Sequence, residues 1–232
     1  MSDIVGLLRE LIRDELARQI PSHIGVVEAV KGHSGPSDNE NYGCDVRLRG
    51  RDLVLTGVPI GTDHLGTVAP PAIGDVVLVH FAGGDPDQPI VGGRLYSDAL
   101  RPPSYEQGQL ITFLPPDAGE SDRIEVAAKG GKNGSRYWTV RLPSDVTLTV
   151  TDKKVEATVG PLSLTIDSDA GEATLKTSGA TIAATDGGDV TVNGNGNLSF
   201  SASGNVEIKA GGTLKLNANG IAELKGSLVN LN

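Results

Sequence analysis

Aromatic residues are scarce in this chain: Phe, Trp and Tyr together make 3% of its 232 residues. A rounded enzyme core of that size leans on aromatic side chains for much of its buried area. Here Val, Leu, Ile and Ala must supply the interior, and with 31 glycines the bias is toward thin, repetitive β structure. Cysteine is nearly absent. The single Cys44 excludes an internal disulfide framework and a Cys-based zinc site, and reads as a small buried apolar residue. There is no run of about 20 apolar residues to cross a bilayer as a helix. The N-terminus lacks a basic segment followed by an uninterrupted apolar stretch, so no secretion signal is expected and synthesis in a cytoplasm is. Positive charge is short as well: the formal net charge is -9 and no basic stripe stands out. A nonspecific nucleic-acid partner is therefore not expected.

Catalytic motifs are missing too. The sequence holds no Gly-x-Ser-x-Gly elbow, no His-Glu-x-x-His helix and no phosphate-binding Walker loop. Asp63-His64 is the nearest approach to a catalytic pair, with no serine or cysteine placed beside it by motif, and it reads as a polar turn. The acidic loop GGDPDQP, with Asp85 and Asp87, lacks EF-hand ligand spacing; its Pro86 and Pro89 point to a stiff hairpin turn instead. No enzyme activity, metal or cofactor is expected.

Three zones follow one another along the chain. Residues 1–20 contain the one convincing amphipathic helix, capped by Ser2 or Asp3 and ended by Pro21. Ile4, Leu8, Leu11, Ile12 and Leu16 form its apolar stripe. A lone helix of this length is marginal in water. The stripe must pack on its own domain, on a second copy, or on a hub or cargo component. Residues 21–100 read as short strands bounded by Gly, Pro, Asp and Asn: IGVVEAV, CDVRLRG, DLVLTGVPI, DVVLVHF and PIVGGRLYS. Five strands in such a span suit a small closed barrel of the OB-fold type. Residues 101–140 read as connector strands.

From 141 to 232 pairs of aliphatics two apart recur. Val190/Val192, Leu198/Phe200, Val206/Ile208 and Leu214/Leu216 are spaced by eight residues each time, with Asn-Gly, Ser-Gly or Gly-Gly between them. A fixed short period with a turn in every unit signals a β-solenoid. Eight residues make one strand and one corner, a third of a triangular coil. Three identical chains wound about one axis would close the triangle, so these eight side chains are the expected core of an obligate homotrimer. The competing architectures are a monomeric solenoid with small coils and a disordered Gly/Ser/Asn-rich tail.

This order of parts resembles the central spike of contractile injection machines, a family that includes phage baseplate assembly protein V, the needle part of VgrG proteins and the spikes of extracellular injection particles. The most specific segment spans 69–103. Pro70, Pro71, Gly74, Asp75, Val77, Val79 and Phe81 match a Pro-Pro-x-x-Gly-Asp-x-Val-x-Val-x-Phe run typical of spikes. Gly84, Asp85, Pro89, Val91, Gly93, Leu95 and Tyr96 match its continuation, and Pro102 and Pro103 close it.

The resemblance implies a mainly β protein with an N-terminal helix, an OB barrel and an intertwined triple-stranded β-helix needle. It also implies a membrane-puncturing role in the baseplate of a virion or injection particle made by a bacterial or archaeal cell. Residues 98–140 are too few for the lysozyme domain that some relatives insert there. The large hub that VgrG proteins fuse ahead of the barrel is expected as a separate protein. His23, His33, His64 and His80 all lie upstream of the needle, so the His-x-His iron apex of some phage spikes is not expected. In its place Leu228, Val229, Asn230, Leu231 and Asn232 form the expected seat of a PAAR-like tip. A trimeric fibre or adhesin, or an OB module recognising a host surface glycan, is the alternative.

Overall fold

A computed structural model describes residues 4–18, 20–132 and 134–230. It divides into two compact units, 1–144 and 145–232.

In the first unit, helix α1 (Ile4–Arg18) precedes five strands, β1 (His23–Lys31), β2 (Gly43–Leu48), β3 (Val54–Pro59), β4 (Val76–Phe81) and β5 (Pro89–Leu95). Their order in the sheet is β3-β2-β1-β4-β5, all neighbours antiparallel. The sheet closes on itself where Ile60, just after β3, bridges Val91 of β5 in parallel. That connectivity is an OB barrel. Register shifts between Val27 and Ala29, between Cys44 and Val46, and between Leu78 and Val79 mark the bends. Such irregularities bend a strand and sharpen its twist, which brings the outer strands together.

Alternation explains the core. Cys44, Val46 and Leu48 point inward from β2, Val77 and Val79 from β4, with Val27, Val58 and Val91 from the other strands, and none is more than 2% exposed. No aromatic side chain is among them. Phe81 packs at the margin, edge-on to His23. Each such aliphatic contributes roughly 1.5–3 kcal/mol when fully buried.

Close packing leaves a mark at Gly25. A Cβ there would stand 2.3 Å from Cγ1 of Val46 and 3.1 Å from the Arg47 carbonyl oxygen. Val46 is fully buried and has no room to swing aside. Gly25→Ala is expected to destabilise the barrel by about 1–3 kcal/mol, measured by chemical denaturation with barrel amides as the probe.

Three further strands complete the first unit: β6 (Gln109–Leu114), β7 (Ile124–Lys129) and β8 (Tyr137–Leu142), paired antiparallel in chain order. The Arg123 guanidinium lies 3.6 Å above the Phe113 ring and 3.6 Å from Glu125, bracing that hairpin.

The second unit is a meander of β9 (Val146–Thr151), β10 (Lys154–Val159), β11 (Leu162–Asp167), β12 (Glu172–Lys176), β13 (Ala180–Thr185) and β14 (Val190–Gly194). Each strand pairs antiparallel with the next. The stretch 141–194, read from the sequence as the start of a triple-stranded helix, thus folds as consecutive hairpins forming an open sheet. Both architectures alternate with period two, so side-chain pattern alone does not separate them. Val190 and Val192 lie in β14; the other octad pairs lie beyond it, where residues 196–230 form no strand.

Candidate functional site

The family motif is an anchoring turn. Gly74 has φ +92°, a left-handed conformation that glycine adopts without a Cβ penalty. Its N–H donates to the Val27 carbonyl at 2.9 Å, while the Val27 N–H donates to the Asp75 carbonyl at 3.0 Å. The Asp75 carboxylate accepts the Ala72 N–H at 2.9 Å and lies 3.9 Å from Arg94 of β5. One turn therefore pins β1, β4 and β5. Pro71 is buried beneath it and Pro70 half-buried. Gly93 pairs with Leu78 beside the β5 irregularity, whereas Leu95 and Tyr96 present their side chains to solvent.

An open groove of about 910 Å³ runs beside this turn, lined by His33, Tyr42, Asp63, His64, Pro70, Pro71, Val91 and Arg94 among others. His64 holds its own loop there: its carbonyl accepts from the Thr62 hydroxyl and the Thr67 N–H. Among the described residues no cluster of His, Cys, Asp and Glu is arranged to hold a metal ion. The Asp85 loop is likewise tied by its own carboxylate, which accepts the Asp87 N–H and the Gln88 amide. Burial pushes the Cys44 thiol up, with Asp45 adding to the effect.

The β1–β2 loop carries an ordered knot that the sequence showed only as a long polar segment. Asp38 Oδ2 accepts the Ser34 hydroxyl at 2.7 Å, the Ser34 N–H and the Gly35 N–H, while Oδ1 meets His33 Nδ1 at 2.6 Å and accepts the Glu40 N–H. The Ser34 hydroxyl, the Ser34 amide and the His33 ring hold its carboxyl well below the usual carboxylate range. A depressed folded-state pKa contributes stability above the unfolded value, about 3.9 for Asp, and loses it as pH falls toward the folded one. The knot is therefore at full strength at neutral pH and persists below pH 4. Asp38→Asn is expected to speed amide exchange at Ser34, Gly35 and Glu40 roughly tenfold at pH 7, read by hydrogen-exchange NMR.

The largest candidate surface is aliphatic. Directly opposed residues share a face, and the registers align Leu148, Ala157, Leu164, Leu175, Ile182 and Val192 into one ladder across β9–β14. A second ladder joins Val150, Val155, Ile166, Ala173, Ala184 and Val190 on the same face. The opposite face carries Thr149, Glu156, Thr165, Thr174 and Thr191. In β11 the burial is inverted: Leu162, Leu164 and Ile166 are the exposed set and Ser163, Thr165 and Asp167 the half-buried one.

The octad segment continues the theme. Leu198, Phe200, Val206, Ile208, Leu214 and Leu216 are all more than half exposed. Asn195 donates to the Gly179 carbonyl, and among the described residues 196–230 form no backbone hydrogen bond within the chain. Leu228 and Val229 are exposed, as is Asn230; Leu231 and Asn232 lie outside the described residues. On α1 the stripe of Ile4, Leu8 and Leu11 is open to solvent, and the Leu16 side chain lies outside the description.

The comparisons with known proteins fall on the barrel. Residues 50–96 match the family model of the type VI secretion system/phage-baseplate injector OB domain. Over 93 residues, 40% of the chain, it is 39% identical to the type VI secretion system spike protein VgrG1c of Pseudomonas aeruginosa. The identity is 34% to VgrG1a and to VgrG1b of the same organism over equal lengths. The chain spans only 12%, 11% and 10% of VgrG1a, VgrG1c and VgrG1b. The pinned Gly74–Asp75 turn and strands β3–β5 lie inside the matched segment, so it is this barrel portion of the chain that is similar to the injector OB domain and to the VgrG spike proteins.

Proposed function

We propose that three copies of this chain wind about a common axis to form the needle-bearing spike of a contractile injection system. The observation that supports this most is the aliphatic face of β10–β14 and its continuation in the octads, left open to water by a single chain. Soluble monomers rarely expose a contiguous apolar surface of that extent without a partner. Three copies turning these faces inward bury them, and neighbouring octads supply the backbone partners that residues 196–230 lack within one chain. Similarity of the barrel segment to the phage-baseplate injector OB domain and to type VI spike proteins supports a phage baseplate or type VI particle as the setting of such an assembly.

In this reading the barrels adapt the tube to threefold symmetry, and the stripe of Ile4, Leu8 and Leu11 meets a hub or cargo protein. Leu228, Val229 and Asn230 help seat a PAAR-like tip. Sheath contraction drives the shaft through the target envelope, with no catalytic step. Light scattering on the purified chain tests the core of the proposal. A particle of three times the chain mass is expected; a stable folded monomer at micromolar concentration overturns it.

A further inference from the structure

The aliphatic octads raise a question of register. Inward positions hold Val, Leu or Ile in every layer, with a single Phe at 200 and a single Ala at 222, so the core alone does little to tell one octad from the next. A chain lagging its neighbours by one layer would bury nearly the same surface. Something outside the core must set the stagger.

Threefold symmetry fixes who sits above whom. All three copies hold a given octad at the same height, and each moves to the next face one layer further on. Beneath any strand therefore lies the following octad of another copy, so residue i stacks on residue i+8 of a neighbour about 4.8 Å away. Outward positions in one such column are Thr191, Ser199, Glu207, Lys215 and Glu223, whose charges alternate in sign. The second outward column runs Asn193, Ser201, Lys209, Asn217 and Lys225, which keeps its lysines two layers apart.

Geometry within the chain agrees with this placement. Glu207 pairs with Lys209 at 2.8 Å and Glu223 with Lys225 at 2.6 Å, so the members of each pair project to one side. Among the described residues Lys215, midway between the two glutamates in the series, has no ion pair or hydrogen bond partner within the chain. We propose that Lys215 is the register key of the trimer, bridging Glu207 of one neighbouring copy and Glu223 of another. The idea rests on the trimer proposed above and extends it. A one-layer slip in either direction stacks Glu207 on Glu207 or on Glu223, and Lys209 on Lys209 or on Lys225. Like charges directly opposed are destabilising, so only the native stagger satisfies the column.

The test compares thermal dissociation of three full-length trimers: wild type, Lys215→Glu, and a variant in which Glu207, Lys209, Lys215, Glu223 and Lys225 all reverse sign. Lys215→Glu is expected to lower the dissociation midpoint by about 5 °C. The five-charge reversal, which restores every pairing, returns it to the wild-type value. In 1 M salt, where the Debye length is about 3 Å, the differences shrink. If Lys215→Glu melts with wild type, or the full reversal melts as low as the single variant, the register key is overturned while the trimer stands. A monomeric wild type overturns both.

Discussion

Inserting one alanine between Glu207 and Ile208 is expected to abolish the proposed trimer, while duplicating residues 198–205 leaves it intact. A single added residue moves every later side chain to the other face of its strand. Ile208, Leu214, Leu216 and Leu224 then point to solvent and their polar neighbours into the core. Each displaced aliphatic forfeits roughly 1.5–3 kcal/mol in each of three copies, more in sum than the 5–15 kcal/mol by which proteins are typically stable. The duplicated octad adds eight residues and preserves both parity and corner. It lengthens the shaft by one layer of about 4.8 Å. Light scattering and trimer dissociation temperature read both outcomes. A one-residue insertion that melts like wild type would show that the inward series is not a packed core.

The second large effect is expected from placing the same new residue on adjacent positions of β11. Leu164→Lys is expected to dissociate the trimer at micromolar concentration, and Thr165→Lys to leave it unchanged. Within one chain Leu164 is 46% exposed. A lysine there would cost an isolated sheet little, within about 0.5 kcal/mol for an ordinary surface site. Between the three facing sheets of the proposed trimer it would bury an unpaired ammonium, a cost of several kcal/mol per copy. Thr165 lies on the other face, directly opposite Glu156, where a lysine gains a partner. The contrast separates a surface that meets solvent from one that meets other copies, since only the second makes these neighbouring positions differ.

Much of the barrel was legible in the sequence, because each strand combined period-two alternation with Gly, Pro or Asp at its ends. Cys44, Val46 and Leu48 announce an inward set on inspection. The motif residues were visible as a pattern, but their work was not. That Gly74 takes a left-handed turn and Asp75 ties three strands depends on β1 and β5, which are distant in sequence. The knot around Asp38 was missed. Its signal was the Ser-Gly-Pro-Ser-Asp-Asn composition, which favours side-chain-to-backbone turns, although nothing local singles out Asp38 as the hub. The meander escaped for another reason. Strands β9–β14 carry the same alternation an intertwined helix would, and only the spacing of turns differs. Hairpin repeats here vary in length, whereas the series from Val190 onward is strictly eight. Strands β9–β14 start eight or ten residues apart, and that variation was read as one pattern with the octads.

Those hairpins also order events in time. Every strand pairing within β9–β14 joins neighbours in the chain, and sheets of such local pairings form fast, their individual hairpins in about 1–10 μs. In the proposed trimer the octads have no such route, since their backbone partners would belong to other molecules and arrive by diffusion. The needle proposed here thus grows as a zipper. Preformed sheets of three chains meet first, and closure runs from β14 toward Val229, at a rate set at the outset by concentration and thereafter by the chain itself.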